Sequence, residues 1–283
     1  MSSKIIDRKR IDLGEIQLKM IASGWGNDCV ENSVVEKITY LSDDLKVNGY
    51  LAYPKDTSKK YPCVIWCRGG YGNAGAIDEF NARGIFGQIA SWGYVVFSSQ
   101  YRGSAGSEGK DEFGGADLND IINIIPAAEE LEFAETELWG IEGWSRGGMM
   151  TYLTLTRSNI FKCAIISGGI ANLGCNANES SFMHHLYERV VGRNEEQIKK
   201  LCNERSIVNF PEKLSPTTPI LILHGNNDTR VLPHDSLDLA AKLLDLKFPF
   251  RLILFEGGDH FLKGHRKEVD QYRKEWFTKF LHS

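Results

Sequence analysis

The run Gly143-Trp144-Ser145-Arg146-Gly147-Gly148 sets a serine two positions from a glycine on either side. That G-x-S-x-G spacing suits a nucleophile on a sharp strand-to-helix turn, where the glycines let strand and helix pack closely. An apolar run at 138–143 precedes it, and a helical pattern at 147–156 follows. A tight turn with no chemistry is the bland alternative, and the strand before and helix after argue against it. The first N–H groups of such a helix lack carbonyl partners within it and face developing negative charge. A serine needs a base, and the base needs an orienting acid. Asp228 follows the apolar run 220–223 in His224-Gly225-Asn226-Asn227-Asp228. His260 follows the run 252–255 in Glu256-Gly257-Gly258-Asp259-His260. Nucleophile, acid and base thus occur in the order Ser145, Asp228, His260, each at the carboxyl end of an apolar run, where open parallel sheets bind ligands.

The rivals are weaker. His224 also ends a run, but its position suits packing against the sheet end. His184 and His185 are adjacent and would diverge on a helix, while His234, His265 and His282 read as surface residues. Asp259 neighbours His260, and adjacent side chains point apart. Asp235 and Asp238 read as first-turn carboxylates serving a helix dipole.

An oxyanion needs two donors. One is the N–H of Arg146, directly after the serine. The other is expected from Arg68-Gly69-Gly70-Tyr71-Gly72, the loop after the run 63–67, with Gly70 N–H as the choice because glycine lets backbone approach a substrate. Arg68, Tyr71, Phe182 and Tyr187 are candidate pocket residues. The last two belong to the stripe Phe182, Met183, Leu186, Tyr187, which reads as one apolar helix face and competes with plain core packing. The glycine-rich loop at 100–109 fits neither a Walker nor a dinucleotide pattern, so nucleotide binding is rejected.

The elements around these residues are short apolar runs alternating with helical patterns. The runs lie at 63–67, 94–98, 138–143, 163–167, 220–223 and 252–255. Helices are expected at 85–92, 116–132, 147–156, 235–246 and 266–281, with one amphipathic stretch at 11–21. Runs at 34–41 and 47–53 flank Ser42-Asp43-Asp44 and read as a hairpin. The pattern predicts an α/β fold with a mostly parallel eight-stranded sheet covered by helices on both faces. Residues 1–33 are expected to form an N-terminal extension to a catalytic domain at 34–283, and 168–219 a helical crossover or a cap over the site.

With 42% hydrophobic and 25% charged residues, the 283-residue chain has ordinary globular composition. A net charge of −4 argues against a nucleic-acid partner. No apolar stretch nears the roughly 20 residues of a membrane span, and the charged N-terminus does not read as a signal peptide. The six cysteines form no C-x-x-C pair and read as reduced thiols in a cytoplasmic protein.

Together, Arg68-Gly69-Gly70, Tyr101-Arg102-Gly103-Ser104-Ala105-Gly106, the Ser145 hexapeptide, His224 to Asp228, and Gly258-Asp259-His260 resemble the catalytic domain of the prolyl oligopeptidase family, within the α/β-hydrolase superfamily. The resemblance runs from about residue 34 to the end. It implies an α/β-hydrolase fold, with Ser145 as nucleophile, Asp228 as acid and His260 as base. Larger members carry a β-propeller before this domain, and only about thirty residues precede the first expected strand here, so the resemblance is to the domain without it. The family usually has His or Tyr where this chain has Arg68, and arginine cannot copy a tyrosine hydroxyl as oxyanion donor. The expected activity is hydrolysis of small peptide-like substrates through an acyl-enzyme. A carboxylesterase of small acyl esters and a catalytically silent binding fold remain alternatives. The mechanism calls for no metal or organic cofactor, and it leaves a homo-oligomer open.

Overall fold

A computed structural model describes residues 4–174 and 181–282, with the side chains of Ser181, Phe182 and His184 left undescribed. The chain forms two compact units: residues 1–111 with 116–140, and residues 112–115 with 141–283.

In the first unit, strands β1 (Ile5–Arg10), β2 (Ser33–Ser42), β3 (Leu45–Pro54), β4 (Tyr61–Cys67) and β5 (Val95–Ser99) lie in the order β1-β2-β3-β5-β4. The expected hairpin is present: β2 and β3 pair antiparallel up to Ser42 opposite Leu45, and Asp43 takes the positive φ of 52° that the two-residue turn requires. β4 and β5 are parallel and buried along their whole lengths. Helix α1 (Glu15–Trp25) and α2 (Asn27–Glu31) precede β2, and α3 (Glu79–Ser91) joins β4 to β5. Phe86 of α3 packs on Tyr50 and Trp66, with ring centroids 5.7 and 5.5 Å away. In place of the single helix expected at 116–132 stand two single turns, α4 (Asn119–Ile122) and α5 (Ile125–Ala128), with Pro126 in the first turn of the second.

Strand β6 (Ala134–Trp144) begins in the first unit and ends in the second. There β7 (Phe161–Ser167), β8 (Ile220–Gly225) and β9 (Phe250–Phe255) follow in order, each pair from β7 onward parallel. Helix α6 (Arg146–Leu155) is buried at every position. Helices α7 (Ser181–Val191), α8 (Glu195–Arg205), α9 (Pro233–Asp245) and α10 (Arg266–Leu281) complete the unit. Arg273 of α10 forms a buried bidentate pair with Glu142 of β6, at 2.6 and 3.0 Å. That pair ties the C-terminal helix to the strand leading into Ser145.

The described strands number nine, where eight were expected. The added strand is β1, which pairs antiparallel with β2 and so puts part of residues 1–33 into the sheet. Of its six residues Ile-Ile-Asp-Arg-Lys-Arg only Ile5 is buried. It therefore shows no apolar alternation, and its charges suit an edge that must not pair further. Among the described residues no helix is long and apolar enough to cross a membrane.

Candidate active site

The elbow after β6 is a tightly constrained turn. Ser145 sits at φ 60°, ψ −123°, a conformation that costs a β-carbon-bearing residue energy and must be imposed by its surroundings. Its N–H donates to Ser167 O of β7 at 3.0 Å. A Cβ on Gly143 would lie 2.1 Å from Gly147 O, and one on Gly148 2.5 Å from Gly169 Cα. The glycines are thus the condition for strand and helix to approach closely enough to force the turn.

Two further loops bring the other groups to it. The loops after β8 and β9 are joined by backbone bonds, Asn226 N–H to Phe255 O and Asn227 N–H to Gly258 O, both 3.0 Å. A Cβ on Gly225 would lie 2.2 Å from Gly258 O, so this closeness also requires glycine. Asp228 Oδ1 accepts the N–H groups of Arg230 and Val231 at 2.8 and 3.0 Å. Its Oδ2 lies 2.7 Å from His260 Nδ1. His260 Nε2 lies 3.0 Å from Ser145 Oγ. Asp228, when ionised, can only accept, so His260 Nδ1 carries the hydrogen and Nε2 offers its lone pair to the serine hydroxyl. Burial would raise the Asp228 carboxyl, but hydrogen bonds from His224 and His260 outweigh it and hold the group well below the usual carboxylate range. The arrangement can move a proton from a hydroxyl to an imidazole and stabilise the resulting imidazolium.

The structure brings Ser145, Asp228 and His260 together, and it adds neighbours. His224 does more than pack on the sheet end. It is fully buried, with Nε2 2.9 Å from Val231 O and 3.4 Å from Asp228 Oδ2, and Nδ1 2.6 Å from Ser236 Oγ. A carbonyl only accepts, so Nε2 bears the hydrogen and the Ser236 hydroxyl donates to Nδ1. The only sequence signal for this was a histidine four positions before the acid. Trp144 donates its indole N–H to His260 O at 3.1 Å and lays its ring 5.0 Å from the imidazole. Phe261 packs edge-on to the same imidazole at 5.6 Å. Asp235 stands in the first turn of α9 as expected, and it does more than serve the dipole. It is buried, and its Oδ2 accepts the N–H groups of Ala171 and Asn172, both at 3.1 Å. Asp259 faces its own turn, its Oδ1 accepting the N–H groups of Phe261 and Lys263.

The other candidates fall differently. Arg146 opens α6, with its side chain buried and its guanidinium 4.8 Å over the Phe113 ring. Gly70 belongs to the first unit and has φ 70°, and a Cβ there would lie 2.5 Å from Gly75 Cα. Arg68 does not offer a pocket wall: its side chain is fully buried. Nε and Nη2 donate to Gln100 O at 2.9 and 2.6 Å, and Nη2 also to Ser104 Oγ at 2.8 Å. Tyr71, half-buried, holds its hydroxyl 3.5 Å from Asp111 O. Tyr187 is fully buried, with its hydroxyl bonded to Leu173 O at 3.3 Å, and Met183 and Leu186 are buried beside it in sequence. Those three members of the stripe are core residues. The Phe182 and His184 side chains and Cys175 lie outside the described residues. The other five cysteines are buried free thiols.

Comparison with known proteins follows the same lines. The profile of the prolyl oligopeptidase family matches residues 83–282. A Bacillus subtilis protein described as the uncharacterized peptidase YtmA is 29% identical over 237 residues, covering 83% of this chain and 90% of the relative. Dipeptidyl-peptidase 5 of Aspergillus oryzae is 24% identical over 264 residues, 87% of this chain but 35% of the relative. Among solved structures, the acylaminoacyl peptidase of Pyrococcus horikoshii superposes with a TM-score of 0.74 at 25% identity, over 89% of this chain and 42% of its own. The chain thus spans nearly all of one relative and well under half of the other two.

Proposed function

The chain belongs to the prolyl oligopeptidase family of serine peptidases, with the α/β-hydrolase fold, and from that premise we propose that it cleaves amide bonds of small peptide-like substrates with Ser145, His260 and Asp228. The observation that carries this reading is the unbroken chain from Ser145 Oγ through His260 to Asp228, at 3.0 and 2.7 Å. Ser145 attacks the scissile carbonyl while His260 Nε2 takes its proton. Asp228 keeps the imidazole in the required tautomer and stabilises the imidazolium. The N–H group of Arg146, directly after the nucleophile, receives the oxyanion. His260 then returns its proton to the leaving amine, and a water activated by the same nitrogen resolves the acyl-enzyme. The chain of bonds argues against a silent binding fold.

The insertion that begins at Gly168 is the candidate for controlling access. A Cβ on Gly168 would come 3.4 Å from Asp228 Oδ2 and 3.5 Å from His260 Nδ1, so this insertion starts against the proposed acid and base. Five buried thiols support a reducing compartment such as the cytoplasm. The test is a panel of aminoacyl amides and short acyl esters, alongside labelling by a fluorophosphonate. Amide turnover that disappears with labelling in Ser145→Ala is expected. Turnover of esters with none of amides would make the protein a carboxylesterase, and no labelling at all would end the reading.

A further inference from the structure

His260 protonates the departing amine, so the leaving segment emerges on the side of the imidazole. Trp144 and Phe261 border it there, their rings 5.3 Å apart. Phe261 is 44% exposed. It is held out by its turn. Asp259 Oδ1 accepts both Phe261 and Lys263 N–H, and Leu262 between them is buried at φ 49°. Two exposed cations stack on this ring, Arg230 with Cζ at 4.9 Å and Lys263 with Nζ at 5.1 Å. Arg230 is fixed at its backbone, where its N–H donates to Asp228 Oδ1.

The bland reading is that two long side chains cover an exposed ring. Yet among the described residues neither cation forms an ion pair. Two like charges gathered on one ring repel each other, and an anion between them relieves that repulsion. We propose that Arg230 and Lys263, carried on Phe261, form a carboxylate-binding rim for the leaving segment, favouring short peptides whose departing portion carries a carboxylate. This rests on the assignment of His260 as the proton donor to the leaving group. The carboxylate can come from the free C-terminus of a short leaving segment or from an acidic side chain within it.

The experiment uses substrates with one acyl portion and leaving segments of Ala or Ala-Ala, each as free acid and as carboxamide, plus an amidated segment containing Glu. The free acid is expected to give a kcat/KM roughly three- to tenfold above its carboxamide, as two exposed ion pairs allow. The ratio shrinks as salt is raised and falls toward one in the double variant Arg230→Gln, Lys263→Gln. Preference for the amidated Glu segment alone assigns the rim to side chains, and preference for the free acids alone assigns it to C-termini. Acyl esters of 4-hydroxybenzoate and 4-hydroxybenzamide read the same rim without amide cleavage. If only these esters turn over and the ratio still depends on Arg230 and Lys263, peptide cleavage fails and the rim stands. Equal rates for acid and carboxamide, or a preference the double variant keeps, overturn the rim while leaving the triad in place. No turnover of either series removes both.

Discussion

Two loops follow buried strands and were both expected to serve one reaction, and they are built in opposite ways. The loop after β6 turns the Ser145 side chain outward to His260, and its backbone carries the strain at φ 60°. The loop after β4 turns the Arg68 side chain inward to Gln100 O and Ser104 Oγ, and so fixes the Arg68-Gly69-Gly70 backbone. One loop presents a functional group and the other a main-chain path. A similar opposition separates Asp228, whose carboxylate meets His260, from Asp235, whose Oδ2 accepts the N–H groups of Ala171 and Asn172. A charged residue in a glycine-rich loop is therefore no evidence of contact with substrate until its donors and acceptors have been followed.

Substitutions sharpen that contrast. Ser145→Ala is expected to lower kcat by a factor on the order of 10⁶ and abolish fluorophosphonate labelling, with little change in denaturant midpoint. Substantial remaining turnover would break the contrast at its functional end. Asp228→Asn keeps the shape but favours the wrong tautomer of His260, and should reduce kcat on the order of 10⁴. Asp259→Asn, which touches only its own turn, should stay within a few-fold, and the reverse ranking would mean the wrong aspartate had been chosen. Arg68→Met should act the other way round. It leaves Gln100 O short of its buried donors, so stability falls by about 1–3 kcal/mol in urea unfolding. An unchanged midpoint with a changed preference among substrates would restore Arg68 to the pocket.

Smaller effects test the groups behind the triad. His224→Asn retains an amide where Nδ1 meets Ser236 but loses the N–H toward Val231 O and Asp228. It should reduce kcat roughly tenfold, the scale of one lost buried hydrogen bond. His224→Gln, which restores a donor near the Nε2 position, should recover part of that loss. Equal kinetics for the two variants would leave His224 a packing residue. The smallest effect is on stability against pH. A carboxyl held below its unfolded value adds stability above that value, about 3.9, and loses it as pH falls through the folded one. Asp228 is such a group. Asp228→Asn should therefore lose less stability than the parent between roughly pH 5 and pH 3, and parallel losses would show that Asp228 is not held in this way.

Local pattern accounts for much of what was legible. The strands β4, β5 and β8 are buried along their whole lengths, so each carries a run of apolar residues that marks it. Ser145, Asp228 and His260 follow the ends of β6, β8 and β9, and side-chain chemistry is written in residue type. β1 was illegible because an exposed edge strand has no burial to impose alternation.

The amino-acid sequence by itself determined the alternation of strands and helices, the glycines that force the elbow at Ser145, and the chain order of Ser145, Asp228 and His260. These follow from periodicity and side-chain size, which act over a few residues. Only the tertiary structure decided which partner each polar group takes. It spent the Arg68 guanidinium on carbonyls of its own unit, gave Asp235 to a distant loop, buried Tyr187, and set His224 behind Asp228. A buried donor or acceptor must be satisfied, and its partners here come from residues far along the chain, so their identity is fixed only when folding closes those distances.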